Sequence, residues 1–233
     1  MIVIRKSEER GRTKMDWLNS KHSFSFGNYY DSQHSGYGSL RVINEDIVSP
    51  GQGFDMHDHN NMEIISYVIS GSLTHKDSLG NGSTIVPGDV QRMSAGRGIL
   101  HSEFNASDKE PVHFLQIWIL PERKGIVPSY QQKNFSSQRQ PGKLLLVGSR
   151  NGRNDTITIH QDVDMYVLDL NAEQSLTYKS EKGRRLWAQI VSGSISINQQ
   201  NLKQGDGASI TDIGDIVFTA KEKAEIIIFS FPN

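Results

Sequence analysis

Two triplets constrain this chain more than anything else in it: His57-Asp58-His59 and, further along, His101-Ser102-Glu103. Each places two metal-type ligands at spacing i, i+2. Successive side chains of a β-strand point to opposite faces, so residues two apart share one face. Two strands carrying these triplets would aim three imidazoles and one carboxylate at a common interior. Three neutral nitrogens and an anionic oxygen suit a first-row divalent metal, and Fe(II) oxygenases use His/carboxylate sets of this kind with open positions. The pattern predicts a β-barrel built around a metal held by His57, His59, His101 and Glu103.

The rest of the chain agrees with a β-protein. Apolar segments are short and broken by turn residues: Leu40 to Ile43, Met62 to Ile69, then Leu79-Gly80-Asn81-Gly82 and Pro87-Gly88-Asp89. From His113 to Leu120 apolar residues alternate, with His113, Leu115, Ile117 and Ile119 on one face. No long amphipathic helix is visible, and short strands at regular turn spacing predict an all-β sandwich or barrel. The aromatic cluster Phe24, Phe26, Tyr29 and Tyr30 reads as packing. The 233 residues suffice for two modest domains, and an internal repeat predicts two copies of one unit. Val68-Ile69-Ser70-Gly71-Ser72-Leu73-Thr74 returns as Ile190-Val191-Ser192-Gly193-Ser194-Ile195-Ser196, and Gly88-Asp89 returns as Gly205-Asp206. The polar stretch Gln131 to Gly142 reads as the linker, giving domains 1–138 and 139–233. Offsetting by the repeat places Lys179 and Glu181 opposite His57 and His59, and Phe218 and Ala220 opposite His101 and Glu103. The second copy is then expected to hold no metal.

Composition excludes several classes of function. There is no cysteine, so disulfides, iron–sulfur clusters and thiolate nucleophiles are ruled out, and any metal must sit on His, Asp or Glu. Formal net charge is −1, which gives no broad attraction to nucleic acid or anionic lipid, so direct nucleic-acid binding is not expected. No stretch approaches the roughly 20 apolar residues of a membrane span, and the first residues carry charge too densely for a signal peptide. A cytoplasmic protein is expected. No glycine-rich phosphate loop is present.

Gly51, His57-Asp58-His59, Glu63 and Gly71 resemble the first cupin motif, with one extra residue before the last glycine. Gly98 to Asn105 resembles the end of the second, although Gly96 replaces the usual proline. His22-Ser23-Phe24-Ser25-Phe26, Leu40-Arg41-Val42-Ile43-Asn44 and Met93-Ser94-Ala95-Gly96 resemble the pirin family more specifically, densely from about residue 15 to 121. The resemblance implies a bicupin of two jelly-roll barrels with a metal-bearing first domain and a degenerate second one. It implies Fe(2+) on the residues matching His57, His59, His101 and Glu103, other first-row metals being possible. It further implies flavonol dioxygenase activity, opening quercetin with O₂ and releasing carbon monoxide. The partners would be a small phenolic substrate and O₂. The competing expectation is a non-catalytic, redox-responsive regulator acting through a protein partner.

Individual residues carry further expectations. Glu103 takes the metal and also serves as general base. Glu63, four residues past His59, would orient a ligating imidazole or serve structure alone. His75 is expected in solvent on a polar hairpin, and His113 as a hydrogen-bonded core histidine. His22, His34 and His160 have no nameable partner. Ser102 faces away from the metal, which leaves no serine nucleophile.

Overall fold

A computed structural model describes residues 1–212 and 214–233. The chain forms two β-sandwiches, each a seven-stranded sheet facing a four-stranded one. In the first, the large sheet runs Ser129–Asn134, Asp89–Ser94, Glu63–Ser70, Val112–Ile119, Leu40–Val48, Leu18–His22 and Gly11–Lys14. Its small sheet runs Gly53–His59, Ile99–Asn105, Leu73–Asp77 and Gly82–Ile85. In the second, the large sheet is Ile2–Arg5, Gly207–Ile210, Arg184–Ser192, Ala224–Pro232, Asp164–Leu170, Leu144–Ser149 and Ile157–Thr158. The small one is Ser175–Lys179, Asp215–Ala220, Ser194–Ile197 and Gln200–Lys203. The architecture is the tandem jelly-roll that the sequence led us to expect. Among the described residues no helix is long and apolar enough to cross a membrane.

The two halves match strand for strand. Gly71 and Gly193, the glycines of the repeat, take φ of 77° and 76° in equivalent turns, a conformation that a Cβ disfavours. Asp89 Oδ2 accepts from Val86 N and Asp206 Oδ2 from Lys203 N, each at 3.0 Å, so the repeated Gly-Asp is one turn made twice.

The large sheets pack back to back. Leu115, Ile117 and Ile119 on one side meet Val147, Val163, Val167 and Phe229 on the other in a single apolar cluster. This is why Glu63–Ser70 is buried on both faces for most of its length instead of alternating. The same contact consumes the His113–Ile119 face that the alternation identified, leaving Val112, Phe114, Gln116 and Trp118 to point into the first barrel.

The second barrel is filled by Leu186, Ala188, Ile190, Ile195, Ile197, Ile216, Phe218 and neighbours. The first is not filled throughout, and its open end carries the site.

One reading of the sequence is corrected here. Residues 131–134, taken as linker, lie in the strand Ser129–Asn134 on the edge of the first barrel's large sheet. Its polar side chains are spent on tertiary hydrogen bonds: Gln132 donates to Asp89 at 2.8 Å, and Gln131 accepts from Thr158 N at 2.9 Å. At the other end of the chain, Ile2–Arg5 pairs with Gly207–Ile210, so the N-terminal strand completes the second sandwich.

Candidate metal centre

The strands Gly53–His59 and Ile99–Asn105 run antiparallel, with His57 opposite His101 and His59 opposite Ile99. Register shifts between His101 and Glu103, where Phe54 and not Asp55 faces Glu103. The extra residue bulges the histidine strand; bulges of this kind re-aim side chains beside functional sites. Gly53 lets the strands approach closely, since a Cβ there would stand 2.3 Å from the Glu103 carbonyl oxygen.

Three imidazoles converge at this point. The ligating atoms of His57, His59 and His101 all lie within 4.8 Å of one another, and the Nε2 atoms of His57 and His101 are 3.0 Å apart. His57 Nδ1 donates to the Asp55 carbonyl at 2.7 Å, which leaves its Nε2 with a lone pair. His59 Nε2 is buried without a hydrogen-bond partner. Burial pushes His59 and His101 down to about 4, so both rings are neutral at neutral pH. An unpartnered buried nitrogen among converging imidazoles is the donor set of a first-row metal. The residues fit a metal.

Glu103 lies on the inner side of His101. Its ligating oxygen groups with His101 and His75, again within 4.8 Å of one another, and all three residues are buried. Ser66 Oγ donates to Oε1 at 2.7 Å and Gln116 Nε2 to Oε2 at 2.6 Å. Burial alone would raise this carboxyl; His101 and these two donors outweigh it and hold the group below its ordinary value. Glu103 is thus an ionised, oriented carboxylate next to one of the three histidines.

Several histidines sit elsewhere than expected. His75 is fully buried, not in solvent: its Nε2 donates to Asp77 Oδ2 at 3.2 Å and its ring lies 4.9 Å from that of Tyr130. It occupies the middle of Leu73–Asp77, opposite Glu103, and alternation buries Leu73, His75 and Asp77 together. The i, i+2 rule that found His57 would have found it.

Glu63 orients no imidazole of the cluster. Asn61, at φ 49°, makes the turn after His59, and Glu63 comes out on the opposite face of the large sheet. There it accepts from Ser94 Oγ at 3.0 Å and from His160 N at 3.1 Å, with His160 Nδ1 also at 3.1 Å, tying the two halves together. The partner of His160 is therefore Glu63. His113 is hydrogen-bonded as expected, to Glu45 at 3.0 Å, and His34 pairs with Asp31.

The register of the second barrel also corrects the repeat-based equivalence. Leu73 faces Asn105 in the first barrel, and Ile195, its repeat counterpart, faces Ala220. Counting back along the strands, Ile216 and Phe218 correspond to His101 and Glu103. Tyr178 pairs with Ile216 as His57 pairs with His101, and Ser180 then corresponds to His59. Offsetting the sequence slipped the first pair by one residue, onto the wrong face, and the second by two, because the connections between strands differ in length. Ile216 and Phe218 are buried apolar residues where the first barrel has its histidine and carboxylate.

Two members of the cluster, His57 and His59, line a cavity of about 570 Å³, with His101 behind them. Trp17, Phe26, Phe54 and Trp118 supply its flat apolar walls, and Ser20, His22, Asn44, Asp46 and Gln116 a polar row. The volume falls within the roughly 300–1,000 Å³ typical of small-molecule sites. His22 is tied to Asn44 Oδ1 and to Thr13 Oγ1, each at 2.8 Å. His22 and Asn44 entered the sequence reading through the family resemblance, and Ser20, Asp46 and Gln116 not at all; an amide, Gln116, on an otherwise apolar inward face was the available signal.

The family model described as Pirin matches residues 3–119, and the one described as quercetinase C-terminal cupin domain matches residues 146–231. A quercetin 2,3-dioxygenase of Escherichia coli K12 is 41% identical over 232 residues, covering 100% of this chain and 99% of that protein. A putative quercetin 2,3-dioxygenase of Pasteurella multocida is 40% identical, covering 98% of this chain and 99% of its own. The crystal structure of the E. coli bacterial pirin YhhW in complex with nickel(II) is 41% identical, superposes with a TM-score of 0.95, and covers 100% of this chain and 99% of that one. Matched along its first half by one model, along its second by the other, and from end to end by these relatives, the chain belongs to the pirin family.

Proposed function

We propose that this protein is a metal-dependent dioxygenase of flavonols such as quercetin, with His57, His59, His101 and Glu103 as the ligand set and iron as the resident metal. The observation that carries this reading is the convergence of three imidazoles beside an aromatic-walled cavity that two of them line. The relatives named as quercetin dioxygenases support the substrate class. The overall reaction takes flavonol and O₂ to a ring-opened ester and carbon monoxide, both oxygen atoms entering the organic product.

A divalent metal held by His57, His59 and His101 would supply a Lewis acid for the substrate's vicinal hydroxy-ketone. The protein supplies the rest. Asp55 fixes the His57 tautomer through its carbonyl, so Nε2 faces the cavity. Glu103 accepts the flavonol hydroxyl proton on a carboxylate oxygen; Ser66 and Gln116 each occupy only one lone pair of their oxygen and keep the group aimed. Trp17, Phe26, Phe54 and Trp118 pack on the flat rings and exclude water.

The test is steady-state oxygen uptake with quercetin, normalised to bound metal, with carbon monoxide measured in the headspace. One carbon monoxide per O₂ consumed is expected. Uptake at the metal-free background would remove this substrate class.

A further inference from the structure

The polar row of the cavity contains one fully buried acceptor that the protein does not use. Thr13, His22 and Asn44 satisfy one another in a chain of hydrogen bonds, and the Gln116 amide nitrogen is committed to Glu103. Asp46 differs. It lines the same cavity at 3% exposure, and its Oδ1 is buried with no hydrogen-bond partner. It reaches the cavity because Asn44 and Asp46 are inward on Leu40–Val48, while Glu45 between them points to the other face.

A buried carboxyl oxygen left unpaired is costly, and a group that persists in that state beside a cavity is one whose partner arrives with the ligand. The partner must carry a donor. Asp46 Oδ1 retains lone pairs whether or not the other oxygen carries a proton, so it can accept an O–H in either state. An apolar ring held between Trp17, Phe26, Phe54 and Trp118 would bring only substituents on its edge to this oxygen.

We infer that Asp46 is the specificity-determining residue of the cavity, accepting a hydrogen bond from a ring hydroxyl that the substrate carries in addition to its chelating hydroxy-ketone. The inference rests on the flavonol reading and deepens it. The cavity then selects polyhydroxylated flavonols over the bare chelating skeleton. A site built to pair a substrate hydroxyl discriminates strongly against an analogue that lacks it, since the protein group is otherwise left unpaired.

The experiment is a binding titration of metal-loaded protein under anaerobic conditions, followed by the chelate absorption band. The probes are quercetin, which carries further ring hydroxyls, and 3-hydroxyflavone, which carries the chelating pair alone. Wild type should bind quercetin about tenfold or more tightly than 3-hydroxyflavone, the scale of one well-placed hydrogen bond to a carboxyl group. Asp46→Ala should abolish that preference by weakening quercetin alone. Asp46→Asn keeps an acceptor oxygen in the same place and should restore most of it. Equal affinity of wild type for the two probes overturns the inference without need of any variant. So does a loss in Asp46→Ala that is equal for both probes, or no loss at all. Binding of neither probe by wild type overturns the flavonol reading itself, and the inference with it.

Discussion

The Nε2 atoms of His57 and His101 stand 3.0 Å apart across two paired strands, with the Nδ1 of His57 already committed to a backbone carbonyl. At that distance two ring nitrogens need a proton or a cation between them, because two lone pairs facing each other repel. The metal would thus clamp the strands Gly53–His59 and Ile99–Asn105 together. His101→Ala should lower metal affinity by more than the roughly 10–100-fold cost of losing an outer partner. Elemental analysis after dialysis reads the outcome. Full occupancy in the variant would exclude His101 as a ligand.

Glu103→Gln separates holding the metal from moving a proton. Glutamine keeps an oxygen near His101 but loses the charge and most of the basicity. The three histidines should retain substantial metal, while quercetin turnover per bound metal falls by about 10²–10⁴-fold, as for a lost general base. Equal normalised rates would remove Glu103 as the base.

Gly53 allows the two histidine-bearing strands to approach. A Cβ there would meet backbone atoms, the Glu103 carbonyl oxygen at 2.3 Å and Phe104 Cα at 2.5 Å, neither of which can swing aside. Gly53→Ala should therefore destabilise the first barrel by roughly 1–3 kcal/mol, as overpacking does, and weaken metal binding by moving His57 relative to His101. Denaturant unfolding of the metal-free protein and metal titration measure the two effects separately. A variant with unchanged stability and affinity would show that the strands can part at no cost.

The strand rule alone made the three-histidine cluster legible, since His57, His59 and His101 needed only local alternation and one pairing. Glu103 was placed on the right strand, but its grouping with His75 was not foreseen. His75 obeys the same alternation and was set aside because polar turn residues follow it. The cavity wall was not readable: Ser20, Asp46 and Gln116 come from three strands whose adjacency follows from the jelly-roll path, not from any local pattern. Of the two readings open for Glu63 the structural one holds, because the Asn60-Asn61 turn sends the next strand to the other sheet, with Glu63 facing the second barrel. The repeat identified the second barrel correctly, yet its residue-level equivalence slipped. A hairpin of different length changes strand phase without disturbing the conserved-looking turns.

Glu45 and Asp46, neighbours on one strand, should respond to pH in opposite directions. Burial works against ionisation at Glu45, but the hydrogen bond with His113 and the charge of Arg10, 2.7 Å away, prevail and bring it down to about 2. Its contribution to stability is therefore complete above its ordinary value of 4.5 and lost as pH falls from there towards 2. Over that window the loss is about 3 kcal/mol for this group, at 1.36 kcal/mol per unit. Asp46 is the reverse. Burial, with Glu103 and Glu45 adding to it against Ser20 and Arg10, raises it to about 7, and His22, His57 and His59 share its cavity. The unfolded chain releases this proton near 3.8 and the folded one near 7, so stability falls as pH rises between them. Denaturant unfolding of metal-free protein from pH 3 to pH 8 tests both. The stability lost in Glu45→Gln relative to wild type should shrink as pH drops below 4.5. Asp46→Asn should gain on wild type as pH climbs from 4 to 7. Parallel pH curves for wild type and Asp46→Asn would mean that Asp46 is ionised in the folded protein throughout and finds a partner for its charge.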